Sequence, residues 1–399
     1  MQRCDALARH SELPGGLTRV FLSPESRAAG EAVLGWMREA GMQARLDAIG
    51  NVVGRYEGAR AGLPCLMLGS HLDTVRDAGR YDGMLGVVSA IECVHVLNTA
   101  GRRLPFSVEV VGFGDEEGVR FGTTLLGSRA LAGTLDPKVL ETRDAAGKSI
   151  AEALRDFGLD PCFIPDIKKQ AHEVLAYAEL HIEQGPVLEA ERLPVGVVSA
   201  INGFTRLRVT LRGEAGHAGT VPMHLRRDAL AAAAECVLAV EKISKAHREL
   251  VGTVGRIEAR PGAINVIPGE VQFTVDVRSP EDHLRRRASA SVHDEVKRIC
   301  KDRNIELRIE PLQEFGSSAC APWLMAQLER AVEAQGVRAL RLPSGAGHDG
   351  MAIKQIADIA MLFVRCKGGI SHHPAESITE EDARVGAAVL FDFISNFKS

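Results

Sequence analysis

Residues 106–122 read FSVEVVGFGDEEGVRFG. Phe106–Phe113 is apolar at most positions, the pattern of a strand buried on both faces, and Gly114 follows it. Asp115, Glu116 and Glu117 come next. Three acids at a packed strand end repel one another and are costly to bury unpaired. The stretch therefore asks for a cation, and for an architecture that gathers strand ends at a working surface. Glu116 and Glu117, as neighbours in an extended chain, are expected to point to opposite sides. Asp115 reads as a solvated neighbour.

Working outward, Leu63–Leu68 and Val174–Leu180 read as further strands and Gly86–Leu97 as a helix. Apolar strands alternating with helices predict an α/β fold with a mostly parallel sheet. From residue 204 the order changes. FTRLRVTLRG alternates as a half-exposed strand, and RRDALAAAAECVLAVEKISKA is an Ala-rich helix. LVGTVGRIEARPG and GEVQFTVDVRS are strands, HLRRRASASVHDEVKRICKD is a helix, and IELRIEPL is a strand. That β-α-β-β-α-β order predicts an inserted ferredoxin-like α/β sandwich. The expected division is 1–203 with 319–399 as one domain in two segments, and 204–318 as the insertion. The last helix is expected at 380–397.

The 399 residues suit two domains, and the composition, 45% hydrophobic and 25% charged, is that of a globular chain. A net charge of −4 without long single-sign runs argues against nucleic acid or an anionic membrane as partner. No stretch approaches the ~18 apolar residues of a membrane span. The first thirty residues hold no apolar run of signal-peptide length, so a cytoplasmic location is expected. The eight cysteines are scattered with no Cys-x-x-Cys pair, so reduced thiols are expected, and any metal must be held by His, Asp and Glu.

Such ligands follow each strand, where open α/β sheets collect their functional groups. SHLDTV places His71 and Asp73 two apart, so that one can ligate while the other orients it. RYDGMLGV puts Asp82 before a helix, HIEQGP supplies His181, and GGISHHPAE supplies His372 and His373. A lone His is more often a surface or core residue, and Asp82 alone reads as an N-cap. That plain reading has to be invoked separately at every strand end. Nitrogen and oxygen donors without thiolates suit Zn, Mn, Co or Ni, and with a bridging carboxylate the set is large enough for two ions.

GSHLDTV, YDGMLGV, GDEEGVRF, ELHIEQGP, GHAGTVPM, NVIPGE and GISHHPAE occur in this order along the chain. In this the sequence resembles the hydantoinase/carbamoylase branch of M20 metallopeptidase-like amidohydrolases, which contains N-carbamoyl-L-amino acid hydrolases, allantoate amidohydrolases and ureidopropionase-type enzymes. The resemblance implies a dinuclear catalytic domain and an inserted lid that forms a homodimer. It implies that His71, Asp82 and His181 hold one metal, and that Asp82 bridges to a second held by Glu117 and His372. It implies Glu116 as general base, Asp73 as the group orienting His71, and His372 rather than His373 as ligand. His217 in GEAGHAGTVPM, otherwise adequately read as part of a glycine-rich turn, would donate to the tetrahedral oxyanion. Gln184, His217, Asn265 and Arg278 would bind the substrate, a planar guanidinium fork suiting its carboxylate. His348, in SGAGHDG, also falls on a family motif.

The reading is a metal-dependent amidohydrolase acting on a ureido or carbamoyl C–N bond of a small carboxylate. The stretch RCDALARHSELPGGLTRVFLSPESRAAG, residues 3–30, is most similar to allantoate amidohydrolases, and N-carbamoyl-L-amino acid hydrolase is the alternative. A peptidase or acylase is disfavoured by His181 together with Gln184, Asn265 and Arg278. A binding protein with a dead site is disfavoured because every ligand and the base are present.

Overall fold

Cys65–His71 and Ser107–Phe113 are buried at every residue and pair with each other in parallel. Strands covered on both faces need apolar side chains at both parities, which is why these segments read as continuous apolar runs. The computed structural model describes residues 1–399, and the chain forms two units, 1–199 with 319–399 and 200–318. The sequence pattern put the first junction at 203/204; the second unit begins at Ala200.

In chain order the strands are β1 (Gln43–Leu46), β2 (Val52–Tyr56), β3 (Cys65–His71), β4 (Ser107–Phe113), β5 (Val174–Ile182) and β6 (Val195–Ile201). Then follow β7 (Gly203–Arg212), β8 (Gly216–His217), β9 (Val251–Thr253), β10 (Ile257–Arg260), β11 (Val266–Ile267), β12 (Glu270–Ser279) and β13 (Glu306–Phe315). The last are β14 (Ser318–Ala319), β15 (Arg341–Ser344) and β16 (Ile359–Val364). The large sheet runs β1-β2-β4-β3-β5-β16-β6-β14, with β15 also on β6. Its centre, β4-β3-β5-β16, is parallel, whereas β1 with β2, β2 with β4 and β6 with β16 pair antiparallel. The mostly parallel expectation thus holds for the core of a mixed sheet.

The helix Met84–Thr99 packs on this centre and buries residues all round its circumference. It approaches β5 so closely that a Cβ on Gly86 would stand 2.2 Å from the Leu180 carbonyl oxygen and 2.9 Å from Ser70 Cβ. The C-terminal helix runs Glu380–Asn396, capped by the Thr379 side chain on the Asp382 amide. No helix is long and apolar enough to cross a membrane.

In the second unit, β12 alternates strictly between buried and half-buried residues, so the sheet has one covered face. Val209, Leu211, Val271, Phe273, Val275 and Val277 on that face share a core with the inner sides of the helices Ala229–Lys245 and Asp282–Asp302. The single strand read over 250–262 is two short ones, β9 and β10. Both lie along β12, opposite Asp276–Arg278 and Glu270–Phe273 respectively. A small separate sheet pairs β8 with β11.

Replacing Gly86 by Ala drives a methyl into main chain that cannot yield without breaking the sheet ladder. We expect Gly86→Ala to cost roughly 1–3 kcal/mol in urea unfolding. An unchanged midpoint would show that the helix can move off β5.

Candidate metal centre

Because β4, β3, β5 and β16 run in parallel, their carboxyl ends emerge at one edge of the sheet. His71 is the last residue of β3 and His181 the penultimate residue of β5. Asp82 stands in the turn before Met84–Thr99, which enters its helix through Gly83 at φ +77°. A Cβ there would meet the His71 ring at 2.6 Å, so only glycine lets Asp82 stand so near that histidine.

Three imidazoles converge on the Asp82 carboxylate. His71 Nε2 is 3.4 Å and His181 Nε2 3.1 Å from Oδ1, and His372 Nε2 is 3.3 Å from Oδ2. His372 Nε2 also stands 3.2 Å from Glu117 Oε1. On the far side, His71 Nδ1 lies 3.0 Å from the Asp73 carbonyl oxygen and His181 Nδ1 2.9 Å from that of Ile182. Carbonyls only accept, so each Nδ1 carries a proton and donates it, which leaves the lone pair of the neutral ring on Nε2. A lone pair facing a carboxylate oxygen is repulsive unless a proton or a cation lies between. At His181 the Gly83 N–H donates to Nε2 over 3.2 Å, which favours the lone pair and hence the cation. Asp82 Oδ1 is itself buried without a hydrogen-bond donor.

The residues therefore fit divalent cations. His71, Asp82 and His181 form one group, and Asp82, Glu117 and His372 another; within each the donor atoms lie within 4.8 Å of one another. Asp82 is common to both. Without a cation the rings hold protons instead. Hydrogen bonds that the protonated His372 ring donates to Asp82 and then Glu117 push its pKa up to about 10. Burial opposes the charged form at His71 and His181, but Asp82 outweighs it and both lie above the ordinary imidazole value.

Glu116 and Glu117 do not diverge. Asp115 takes a left-handed conformation, φ +59°, so the strand alternation does not extend through the acids, and both glutamates reach a common group with His71. Asp115 is not solvated either: it is 0% exposed, neither carboxylate oxygen has a hydrogen-bond partner, and burial drives its pKa well up. The Asp73 carboxylate accepts the Glu116 and Glu117 amides, each over 3.1 Å, and stays 4.0 Å from His71 Nδ1. Asp73 thus orients His71 by its main chain, while its side chain holds the glutamate turn. Burial, then the charges of Glu117 and Asp349, raise Glu116 well above the usual carboxyl range.

Gln184 lies at the centre too, its Nε2 donating to Asp82 Oδ2 over 2.8 Å. Asp115, Gln184 and His372 all hold positive φ (59°, 56° and 56°), a strain of roughly 1–3 kcal/mol each that tends to gather where function fixes geometry. Of the doubled histidine, His373 accepts the Ala375 amide and caps its own turn. His348 is buried edge-on against His181, centroids 4.6 Å apart, with Nε2 2.7 Å from Ser344 Oγ. Burial and then His181 keep it neutral, well below the ordinary value. Sequence reasoning passed over Glu179, buried and hydrogen-bonded by Ser70 and Tyr177, and it passed over Ser371 and Glu376. Only the position of Ser371 and Glu376 inside GISHHPAE hinted at them.

His217, Asn265 and Arg278 belong to the second unit. His217 stands opposite Val266 in the β8–β11 pair, and next to it the Ala218 amide donates to the Asn265 carbonyl. Gly219 N–H donates to His217 Nδ1 over 3.0 Å, so the neutral, exposed ring carries its proton on Nε2. The Arg278 fork is engaged by Asp276, Nε to Oδ1 at 3.0 Å and an Nη to Oδ2 at 2.9 Å.

Residues 67–396 match the family described as Peptidase family M20/M25/M40. The chain belongs to that family of metal-dependent hydrolases. It is 44% identical to an N-carbamoyl-L-amino acid amidohydrolase of Geobacillus stearothermophilus, over 94% of this chain and 92% of the relative. It is 42% identical to a probable allantoate deiminase of Oryza sativa subsp. japonica, over 98% of this chain and 87% of that one. The crystal structure of an amidase of the hydantoinase/carbamoylase family from Burkholderia multivorans superposes with a TM-score of 0.94 at 35% identity, covering 99% and 96% of the two chains.

Since His372 lies near 10 in the metal-free protein, it is protonated at neutral pH, and a cation must displace that proton. Loading metal-stripped protein at pH 7 should release about one proton or more, read by calorimetry in buffers of different ionisation enthalpy. Affinity should climb as pH rises toward 10. Binding without proton release would remove His372 from the ligand set.

Proposed function

We propose that this M20 enzyme is a dinuclear amidohydrolase that cleaves the ureido or carbamoyl C–N bond of a small carboxylate substrate. The observation that carries this reading is one buried carboxylate, Asp82, shared by three imidazoles beside Glu116 and Glu117. His71, Asp82 and His181 are assigned to one ion, and Asp82, Glu117 and His372 to the other. Zn or Mn suits these donors, with Co or Ni as further choices. Bound there, such ions polarise the attacked carbonyl and lower the pKa of water.

The chain's own residues supply the rest. Glu116, made more basic by burial and by Glu117, takes the proton of the attacking water and passes it to the leaving nitrogen. Asp73 holds Glu116 in place through its amide. His217 is assigned as an Nε2–H donor to the tetrahedral oxyanion, as the tautomer set by Gly219 permits. Gln184, Asn265 and Arg278 are assigned to the substrate. The products are ammonia, carbon dioxide and the amine.

Allantoate is the preferred substrate on the resemblance of residues 3–30, and an N-carbamoyl-L-amino acid is the alternative; the relatives include proteins named for each. A homodimer formed through the second unit is supported by its apolar surface. The four most exposed large apolar side chains of the chain, Ile264, Met223, Leu225 and Leu238, all lie there. A cytoplasmic site of action is supported by eight unpaired cysteines.

Glu116→Gln should keep its metal content and lose about 10²–10⁴-fold in kcat. Near-normal turnover would remove Glu116 as the base. Ammonia release from metal-reconstituted enzyme should be faster with allantoate than with N-carbamoyl-L-amino acids. The reverse preference selects the alternative, and silence on both contradicts the substrate class.

A further inference from the structure

One side chain ties together the two loops that carry Asp82 and His372. Glu376, 4% exposed, accepts the Tyr81 amide at 2.8 Å and the Asp82 amide at 3.2 Å on the same oxygen, from 295 and 294 residues away in sequence. Its other oxygen stands 3.2 Å from Ser371 Oγ, which is 2.6 Å from Asp82 Oδ2. A hydroxyl has one proton, and the shorter contact takes it: Ser371 donates to Asp82. Glu376 therefore holds the main chain of Asp82 directly and faces its side chain through Ser371. The fit is close, since a Cβ on Gly79 would lie 2.2 Å from the Glu376 carboxyl carbon.

The two ion groups are not equally held without this bracket. His71 and His181 sit on strands whose positions the sheet ladder fixes. His372 sits in a loop, its side chain 48% exposed and its backbone at positive φ, and it is the immediate neighbour of Ser371. We infer that Glu376 and Ser371 are positioning residues that hold Asp82 in register with His372, and so set the affinity for the cation shared by Asp82, Glu117 and His372. The inference rests on the two-ion reading above. It concerns metal retention rather than the chemical step, because neither residue is assigned to the substrate or to the reacting atoms.

The test is competition between the Zn²⁺-loaded full-length protein and a chromophoric chelator. Wild type should yield two ions in two distinguishable steps. Glu376→Ala and Ser371→Ala should hold one ion as wild type does and release the other about 10–100-fold more readily. Glu376→Gln should restore wild-type retention, because its amide oxygen still accepts both main-chain N–H groups and its NH₂ can donate to Ser371. Should Glu376→Ala fail to fold, Ser371→Ala decides, since it deletes only a hydroxyl. Unchanged affinity for both ions in Ser371→Ala, or equal weakening of both, overturns the inference. A wild type that holds a single ion overturns the two-ion reading and this inference with it.

Discussion

A buried carboxylate facing three imidazole Nε2 atoms from 3.1–3.4 Å is an arrangement that needs positive charge within it, as protons on the rings or as a cation. Without that charge each contact sets lone pair against lone pair, and the burial of His71 and His181 removes the water that could intervene. Main-chain carbonyls hold the far nitrogens of His71 and His181 in the tautomer that keeps the conflict in place. The fold thus builds a site whose energy is recovered only when positive charge enters it. Metal affinity and folding are coupled by that constraint.

The rest of the first unit reads as the support for this arrangement. Parallel β3 and β5 deliver His71 and His181 to one edge, and Asp82 stands in the glycine turn that opens the closely packed Met84–Thr99 helix. Asp73 grips the amides of the glutamate turn, and Asp115 bends the chain so that two adjacent acids serve the same cluster. Glu116 is left buried beside other negative charge, the condition under which a carboxylate becomes an effective base near neutral pH.

Much of this was legible because its signals are local. A buried parallel strand is a continuous apolar run followed by polar residues, so His71, Asp73, Asp82, Glu116, Glu117, His181, His372 and His373 could be singled out as candidates, and the family resemblance chose the expected ligands among them. The second unit was legible for the same reason, since β12 and its helices carry clean periods of 2 and 3.6. What failed was what local pattern does not encode. β1 and β15 are four residues long and half exposed, too short to show a period. A left-handed residue at 115 ends the strand alternation, so that Glu116 and Glu117 converge on one group instead of diverging. The roles of Asp73, Glu179, Ser371 and Glu376 depend on hydrogen bonds, most of them to residues far away in the chain, and no spacing rule reports those.

Anomalous diffraction from crystals of the Zn²⁺-loaded protein shows whether Asp82 lies between two ions. Two peaks per chain are expected, about 3.5–4 Å apart, with the Asp82 carboxylate between them and His71, His181, Glu117 and His372 around them. One peak, or a pair that Asp82 does not bridge, would contradict the two-ion assignment.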